Sequence, residues 1–394
     1  MEKIFVMNLG TTSFKFKLYA FEGEASRVLA SGELESIGAA LSAWEISYPD
    51  GIRKEGKTPI ADHGAAFEHC FTILQHDGIL RDLSDLTAVG YKAVHGGNLS
   101  GTRLVDEELM AEMERVTPLA PAHNPIYLNA MKTIRSRFPH LTQVARFETS
   151  FHATIPQKRV TYGVPYRWKE ELGIRRYGFH GSSHQYIAQT VSRLQPGARK
   201  IINCHLGGSS SICAILDGQS IATSMGATLQ SGLFNNNRVG DFEPFTLTAI
   251  MEHYGYSLEE TLKILSTKSG LLGLSGVSND LRLVIEAAEQ GNERAALAVD
   301  TLCDNILGYI GMYAAYLNGL DALVFTGGIG TNSDLLRRKV CENLSYLGLE
   351  LDPKKNEGRG DGCISTESSR VKVWRLKTDE ESVVANCVRA FLHT

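Results

Sequence analysis

One strand-turn-strand pattern occurs twice in this chain. Residues 4–23 read IFVMNLGTTSFKFKLYAFEG and residues 201–220 read IINCHLGGSSSICAILDGQS. Each stretch runs as an apolar strand, a small-residue turn (LGTTS or LGGSS) and a second β-rich strand ending near a glycine. A hairpin repeated at the heads of two halves points to a duplicated domain. Length agrees, since 394 residues exceed what one compact core organises and two domains are expected.

Between the hairpins, strand and helix patterns alternate, which predicts an α/β chain. Strands are expected at 4–8 and 14–20, at LTAVGYKAVHGG (86–97) and at VARFETSFHATIP (144–156). VDEELMAEMERV (105–116) has helical spacing, with Leu109, Met113 and Val116 on one side. Pro118, Pro121 and Pro125 predict a loop ahead of a helical YLNAMKTIRSRF. Helices are expected within 245–266 and 292–318, and a helix start at Asn332 or Ser333 after the buried strand and glycine turn of ALVFTGGIGTNS. In the closing strand and helix, Thr378 and Glu381 have the spacing of a capping box.

Composition excludes several function classes. A net charge of −4 gives no long-range attraction for nucleic acid or an anionic membrane. The seven cysteines are scattered, with no C-x-x-C, so neither a disulfide framework nor a zinc site is expected. That usage, with no basic and apolar leader pattern and no apolar run near ~20 residues, predicts a cytoplasmic protein without a membrane span.

A glycine and hydroxyl turn between strands presents backbone N–H groups and hydroxyls toward one point, a nest for anionic oxygens. A single small-residue hairpin says little. Two of them, joined by the third turn FTGGIG, point to phosphates held between two halves, with the third turn against a nucleoside. None of the three fits the G-x-x-x-x-G-K-[ST] or G-x-G-x-x-G patterns, which counts against a P-loop or Rossmann site.

Taken in order, NLGTTSFKF, VHGG, PLAPAHNP, FETSFHATIP, RRYGFHGSSH, HLGGSSSICAI, RVGDFEP, KSGLLGLSGVSNDLR, FTGGIGTN and TDEES resemble the acetate kinase family over nearly the whole chain. The resemblance implies an α/β fold of duplicated actin-like ATPase (ribonuclease H-like) domains facing across a cleft. Residues 1–150, completed by a C-terminal helix at 381–394, would form the first domain. Residues 151–380 would form the second, with the nucleotide-binding motifs. The implied reaction moves the γ-phosphoryl of ATP to a short carboxylate, reversibly, with Mg²⁺ and in a homodimer.

Roles follow from the same resemblance. Arg238 matches the transition-state arginine, His180 the phosphoryl-binding histidine and His123 a further active-site histidine. Asn8, Thr11, Ser13 and Lys15 match the first phosphate loop, and His205, Gly207 and Gly208 the second. Asp280, Leu281, Arg282, Gly328, Ile329, Gly330 and Asn332 match the adenosine pocket, which implies a nucleotide donor, ATP with ADP as its product, rather than pyrophosphate. Glu380, with Asn8, matches the Mg²⁺ position. Val94, Ala122, Phe179 and Leu229 fall in the acyl pocket.

Departures from the family pattern read as concentrated on the acceptor side. Lys92 stands for an arginine that orients the carboxylate and Glu148 for an aspartate, a pair that would compensate one another. Ala122 replaces leucine, Leu229 replaces proline, and Gln230, Ser231, Phe234, Asn235, Asn236 and Asn237 form an amide-rich stretch. Gly208 and Ser209 stand where Asn-Gly is usual, so a side-chain amide is missing. The expectation is an acceptor preference moved from acetate toward a larger or more polar acid. The competing readings are a hydroxyl-directed kinase of the same superfamily, for which Glu148 is the only comparable base, and an ATP-binding sensor or assembly protein, which would need neither Arg238 nor His180.

Overall fold

Strict alternation builds the first hairpin. In the computed structural model, which describes residues 1–394, β1 (Glu2–Leu9) pairs antiparallel with β2 (Ser13–Glu22), whose Phe14, Phe16 and Leu18 are buried while Lys15 points outward. Phe5 and Phe16 stack at 4.7 Å and 10°, and Phe67 meets Phe5 edge-on at 5.1 Å. Each such ring contributes roughly 1.5–3 kcal/mol by leaving water, so a one-residue slip in register would expel the cluster.

The chain forms two units, Met1–Ser150 with Asp379–Thr394, and Phe151–Thr378. In the first, β3 (Ala25–Glu35), β4 (Ser42–Ser47) and β5 (Arg53–Thr58) extend the meander, while β6 (Ala88–Ala93), β7 (Thr102–Leu104) and β8 (Gln143–Phe147) complete an eight-stranded sheet of order β5-β4-β3-β2-β1-β6-β8-β7. β6 runs parallel to β1, and β8 parallel to β6.

The second unit repeats this layout. β9 (Lys200–His205), β10 (Ser211–Leu216), β11 (Gln219–Thr223), β12 (Ala322–Thr326), β13 (Gly362–Cys363) and β14 (Lys372–Arg375) form a sheet of order β11-β10-β9-β12-β14-β13. A hairpin, its third strand and two parallel additions on the far side make the same five-strand core, β3-β2-β1-β6-β8 and β11-β10-β9-β12-β14. The repeated hairpin is therefore a repeated fold, of the duplicated actin-like ATPase class. Helix Glu293–Leu317, capped by Asn292, buries Ala298, Leu302, Ile306 and Ile310 in the same core as Ile202, Cys204 and Ile212 of the second sheet.

The last helix, Glu380–Leu392, belongs to the first unit, with Val384 and Val388 over Gly90 of β6, where a Cβ would lie 3.5 and 3.1 Å from their methyls. Its cap corrects the sequence-based expectation. Asp379, not Thr378, accepts from the backbone N–H of Ser382 at 3.4 Å, while the Thr378 hydroxyl is buried without a partner. Asp379 is held there by Lys17 at 2.7 Å, and a carboxylate suits a helix N-terminus better than a hydroxyl. The proline loop also ends earlier than expected. The helix runs Asn124–Arg137, because Pro125 in its first turn lacks only an N–H the helix does not use. No helix is long and apolar enough to cross a membrane.

Candidate active site

The first turn is braced from behind. Gly10 N–H bonds Ser13 O at 2.9 Å, and His63 Nε2–H donates to the carbonyls of Gly10 and Ser13 at 2.9 and 3.2 Å. Leu9 N–H donates to the Tyr127 hydroxyl at 3.0 Å. Thr11 is exposed at the tip and Ser13 half-buried. The Asn8 amide nitrogen donates to Glu381 at 3.3 Å, which directs its carbonyl oxygen elsewhere. Lys15 is drawn to Glu33 of β3 at 2.6 Å, an exposed pair, so its ammonium is already matched within the sheet. His63 and Tyr127 escaped the sequence reading because nothing local marks them as partners of this turn.

Behind the turn lies a charged group of the same unit. Lys92 on β6 forms an ion pair with Glu380 of the last helix, each side chain 13% exposed. Burial alone would lower the Lys92 pKa, but the carboxylates of Glu380 and Glu148 override it and hold the ammonium well above its ordinary value. Glu148, just after β8, is buried. Glu380 is the contact partner of Lys92, and Glu148 adds its charge to the same ammonium. Val94 and His123 are half-buried and Ala122 is exposed. Asn124, next to His123, pins this loop by donating to His95 O and Met113 O at 2.9 and 3.0 Å.

In the second unit the β9–β10 turn carries Gly207 and Gly208. Ser210 N–H donates to Asn235 Oδ1 at 2.5 Å, and Asn236 Nδ2 lies 3.7 Å from where a Cβ on Gly208 would sit. Asn235 and Asn236 therefore lie against the β9–β10 turn. An amide from a neighbouring loop stands where the turn itself lacks one. Arg238, on the same stretch, donates from Nη1 to Ser209 Oγ at 3.1 Å and to Leu229 O at 3.4 Å. It has no carboxylate partner, and burial lowers its pKa. Asp241 is engaged elsewhere, with Gly232 N–H at 2.8 Å and the Tyr309 hydroxyl. Gly270 backs the loop at φ 60°; a Cβ there would lie 2.1 Å from Asn235 O.

An open pocket of about 1150 Å³ adjoins this turn. Gly207, Gly208, Asp280, Leu281 and Arg282 line it, as do Gly328, Ile329 and Asn332, joined by Asn236, which the sequence reading placed elsewhere. Asp280 caps helix Leu281–Glu289 and pairs with the exposed Arg282. The turn after β12 requires glycine at 327, where φ is 77° and a Cβ would lie 2.4 Å from Leu206 O. Two expected members lie outside the wall. Gly330 is buried and accepts from Arg337 at 2.8 Å, and His205 is buried at the end of β9.

His180 precedes helix Gly181–Leu194 in the left-handed region, φ 56° and ψ 29°, uncommon for a non-glycine residue and the mark of a constrained position. Its Nδ1 contacts Ser211 Oγ at 2.9 Å, and its ring stacks on His205 with centroids 4.3 Å apart. His205 Nδ1 contacts Ser183 Oγ at 2.8 Å. His152 Nε2–H donates to the carbonyl of Phe179 at 2.9 Å, fixing the peptide that enters His180. The Phe179 ring is 1% exposed, while Leu229 is half-buried beside Arg238.

Comparison with known proteins gives consistent matches over the full length. Residues 3–386 match the family model described as the Acetokinase family. The acetate kinase of Carboxydothermus hydrogenoformans is 42% identical over 390 residues, 97% of each chain. That of Bacillus subtilis is 41% identical over 393 residues, 98% of this chain and 99% of its own. The crystal structure of Porphyromonas gingivalis acetate kinase is similar at a TM-score of 0.90 and 36% identity, with 100% of both chains covered. A propionate kinase from Francisella tularensis also gives 0.90, at 32% identity over 99% of this chain and 100% of its own.

Proposed function

The chain belongs to the acetokinase family, a phosphotransferase that uses ATP and takes a carboxyl group as acceptor, and we propose that it converts a short-chain carboxylate to its acyl phosphate, reversibly, with a preference moved from acetate toward a larger or more polar acid. The observation carrying the residue roles is Arg238. It is a half-buried guanidinium beside the glycine turn of the pocket, bonded to a hydroxyl and a carbonyl, with no carboxylate partner.

In the proposed reaction a carboxylate oxygen attacks the γ-phosphorus of ATP in line, and the bond to the β–γ bridging oxygen breaks to leave ADP. Little covalent work falls to the protein; positioning and charge stabilisation carry the rate. The planar fork of Arg238 suits charge spread over the equatorial phosphoryl oxygens. His180 supplies a second contact to that group. The pocket with Asn236, Ile329 and Asn332 takes the nucleoside and its inner phosphates.

No three His, Cys, Asp or Glu side chains form a metal cage. The hard oxygens of Asn8 and Glu380 nevertheless fit Mg²⁺, which keeps waters and takes one or two carboxylates besides phosphate oxygens. When bound it neutralises phosphate charge. Glu380 also holds Lys92, so one carboxylate would couple the two cations.

The acceptor shift is supported by Ala122, by Lys92 in place of a bidentate arginine, and by Leu229 next to Arg238. It is tested by trapping acyl phosphate as hydroxamate and comparing kcat/KM for acetate, propionate, butyrate and hydroxy acids. An acetate optimum removes the shift.

A homodimer through the second unit fits the exposed helix Thr246–Tyr254. It buries none of its residues, and Phe245 and Tyr254 are 84% and 61% exposed. Light scattering would return a monomer mass if this surface has no copy to cover it.

A further inference from the structure

The environment of His180 holds more order than a single contact. Asn203, His184 and Ser211 form a fully buried chain leading to its Nδ1 atom. Asn203 Nδ2 lies 2.8 Å from His184 Nδ1, His184 Nε2 lies 2.8 Å from Ser211 Oγ, and Ser211 Oγ lies 2.9 Å from His180 Nδ1.

Each link fixes the next. An amide nitrogen can only donate, so His184 Nδ1 accepts and carries no hydrogen. Burial keeps the His184 ring neutral, with its pKa well below the ordinary value. Its one ring hydrogen is therefore on Nε2 and points at Ser211 Oγ. Ser211 Oγ could accept from both rings, but its own hydroxyl hydrogen would then be buried without an acceptor; pairing that hydrogen makes His180 Nδ1 the acceptor. The His180 hydrogen is left on Nε2.

Turning the Asn203 amide over would reverse every link. As placed, the Asn203 carbonyl oxygen is a buried group without a partner. Turned over, both amide hydrogens would be stranded instead, and orphaned buried donors are rarer than under-satisfied carbonyl oxygens. The same logic operates next door. His152 Nε2 faces the Phe179 carbonyl, which only accepts, so His152 Nδ1 takes the Ser220 hydroxyl hydrogen at 2.8 Å.

We propose that Asn203 is a positioning residue which, through His184 and Ser211, sets His180 as its Nε2–H tautomer, so that the ring offers a hydrogen-bond donor rather than a lone pair to the phosphoryl group. The functional part rests on the role given to His180 above. A lone pair at Nε2 would face phosphoryl oxygens with like polarity; an N–H meets them as oxyanion donors do. Asn203 lies in the strand before the glycine turn, so the strand that forms the turn also sets the proton position on His180.

The test is ¹⁵N-histidine labelling of the full-length protein without substrates, with the His180 signals assigned by their loss in His180→Gln. Long-range proton–nitrogen correlations distinguish a protonated Nε2 from a protonated Nδ1. The unmodified protein is expected to show His180 with Nε2 protonated and Nδ1 bare. Asn203→Leu and Ser211→Ala should each give a mixed tautomer, and kcat should fall by up to the roughly 100-fold that one lost transition-state donor costs, with both KM values held. A protonated Nδ1 in the unmodified protein overturns the proposal, as does an unmoved His180 signal in Ser211→Ala. The first result decides even if neither variant folds. Because the spectrum is taken on resting protein, failure to form acyl phosphate would remove the proposed function and leave the tautomer assignment intact.

Discussion

The rings of His180 and His205 lie 4.3 Å apart, centroid to centroid, with 26° between their planes. Nδ1 of His180 is tied to Ser211 and Nδ1 of His205 to Ser183, so the stack is clamped along two edges. His205, matched to a phosphate loop by resemblance, also braces His180 through this stack. Aromatic stacking of this kind is worth about 0.5–1.5 kcal/mol. His205→Ala should therefore lower kcat by up to about 10-fold while His205→Phe, which keeps the stacked face, recovers most of it. Steady-state kinetics on the two variants checks this.

Arg238→Lys keeps a positive charge and loses the planar fork. Its expected cost is about 10²–10³ in kcat, with KM for nucleotide and acid changed only a few-fold, because the contact is made mainly in the transition state. A rise in KM at constant kcat would place Arg238 in ground-state binding instead.

The nucleotide pocket makes a separable claim. Asn236→Ala should raise KM for ATP several-fold and leave KM for the acid in place. Gly327→Ala should do the same and also destabilise the fold by about 1–3 kcal/mol, since it forces a Cβ into a left-handed turn against the Leu206 carbonyl. An effect of Asn236→Ala confined to the acid would return that residue to the acceptor side.

Acid should loosen the second unit before it reaches ordinary carboxylates. Burial holds the His152 pKa down to about 4, against 6.5 for an open imidazole. With the folded value depressed, the unfolded chain binds the extra proton first, so stability falls as pH drops from 6.5 toward 4, by about 3 kcal/mol. Urea midpoints at pH 7 and 4.5 measure most of that loss. His152→Gln, which can still donate to Phe179 O and accept from Ser220 without titrating, should flatten the slope. His184, lowered by burial in the same direction, leaves a residual slope.

The two hairpins were legible because a short-range alternation of apolar and polar residues specifies both strand and register. Caps were less so. Thr378 and Asp379 are adjacent candidates, and the choice between them was made by Lys17, far away in sequence. Distance also hid the partners that brace the site. His63 and Tyr127 under the first turn, and Asn203, Ser211 and His152 around His180, carry no local pattern that separates them from ordinary core polar residues. The NNNR stretch was legible only in part for a related reason. Its residue types showed that it was unusual, but only folding showed that Asn235 and Asn236 turn toward Ser210 and Gly208. Likewise Lys92 and Glu148 are close enough to interact, yet the direct partner of Lys92 comes from the last helix of the chain.

The central claim, transfer of a phosphoryl group from ATP to a carboxylate, is tested most directly by measuring ADP and acyl hydroxamate together, with Mg²⁺, hydroxylamine and a panel of short acids. The predicted result is ADP released only when a carboxylate is present, with one hydroxamate formed per ADP. ADP that appears without any acid, or with acid but without hydroxamate, would contradict it.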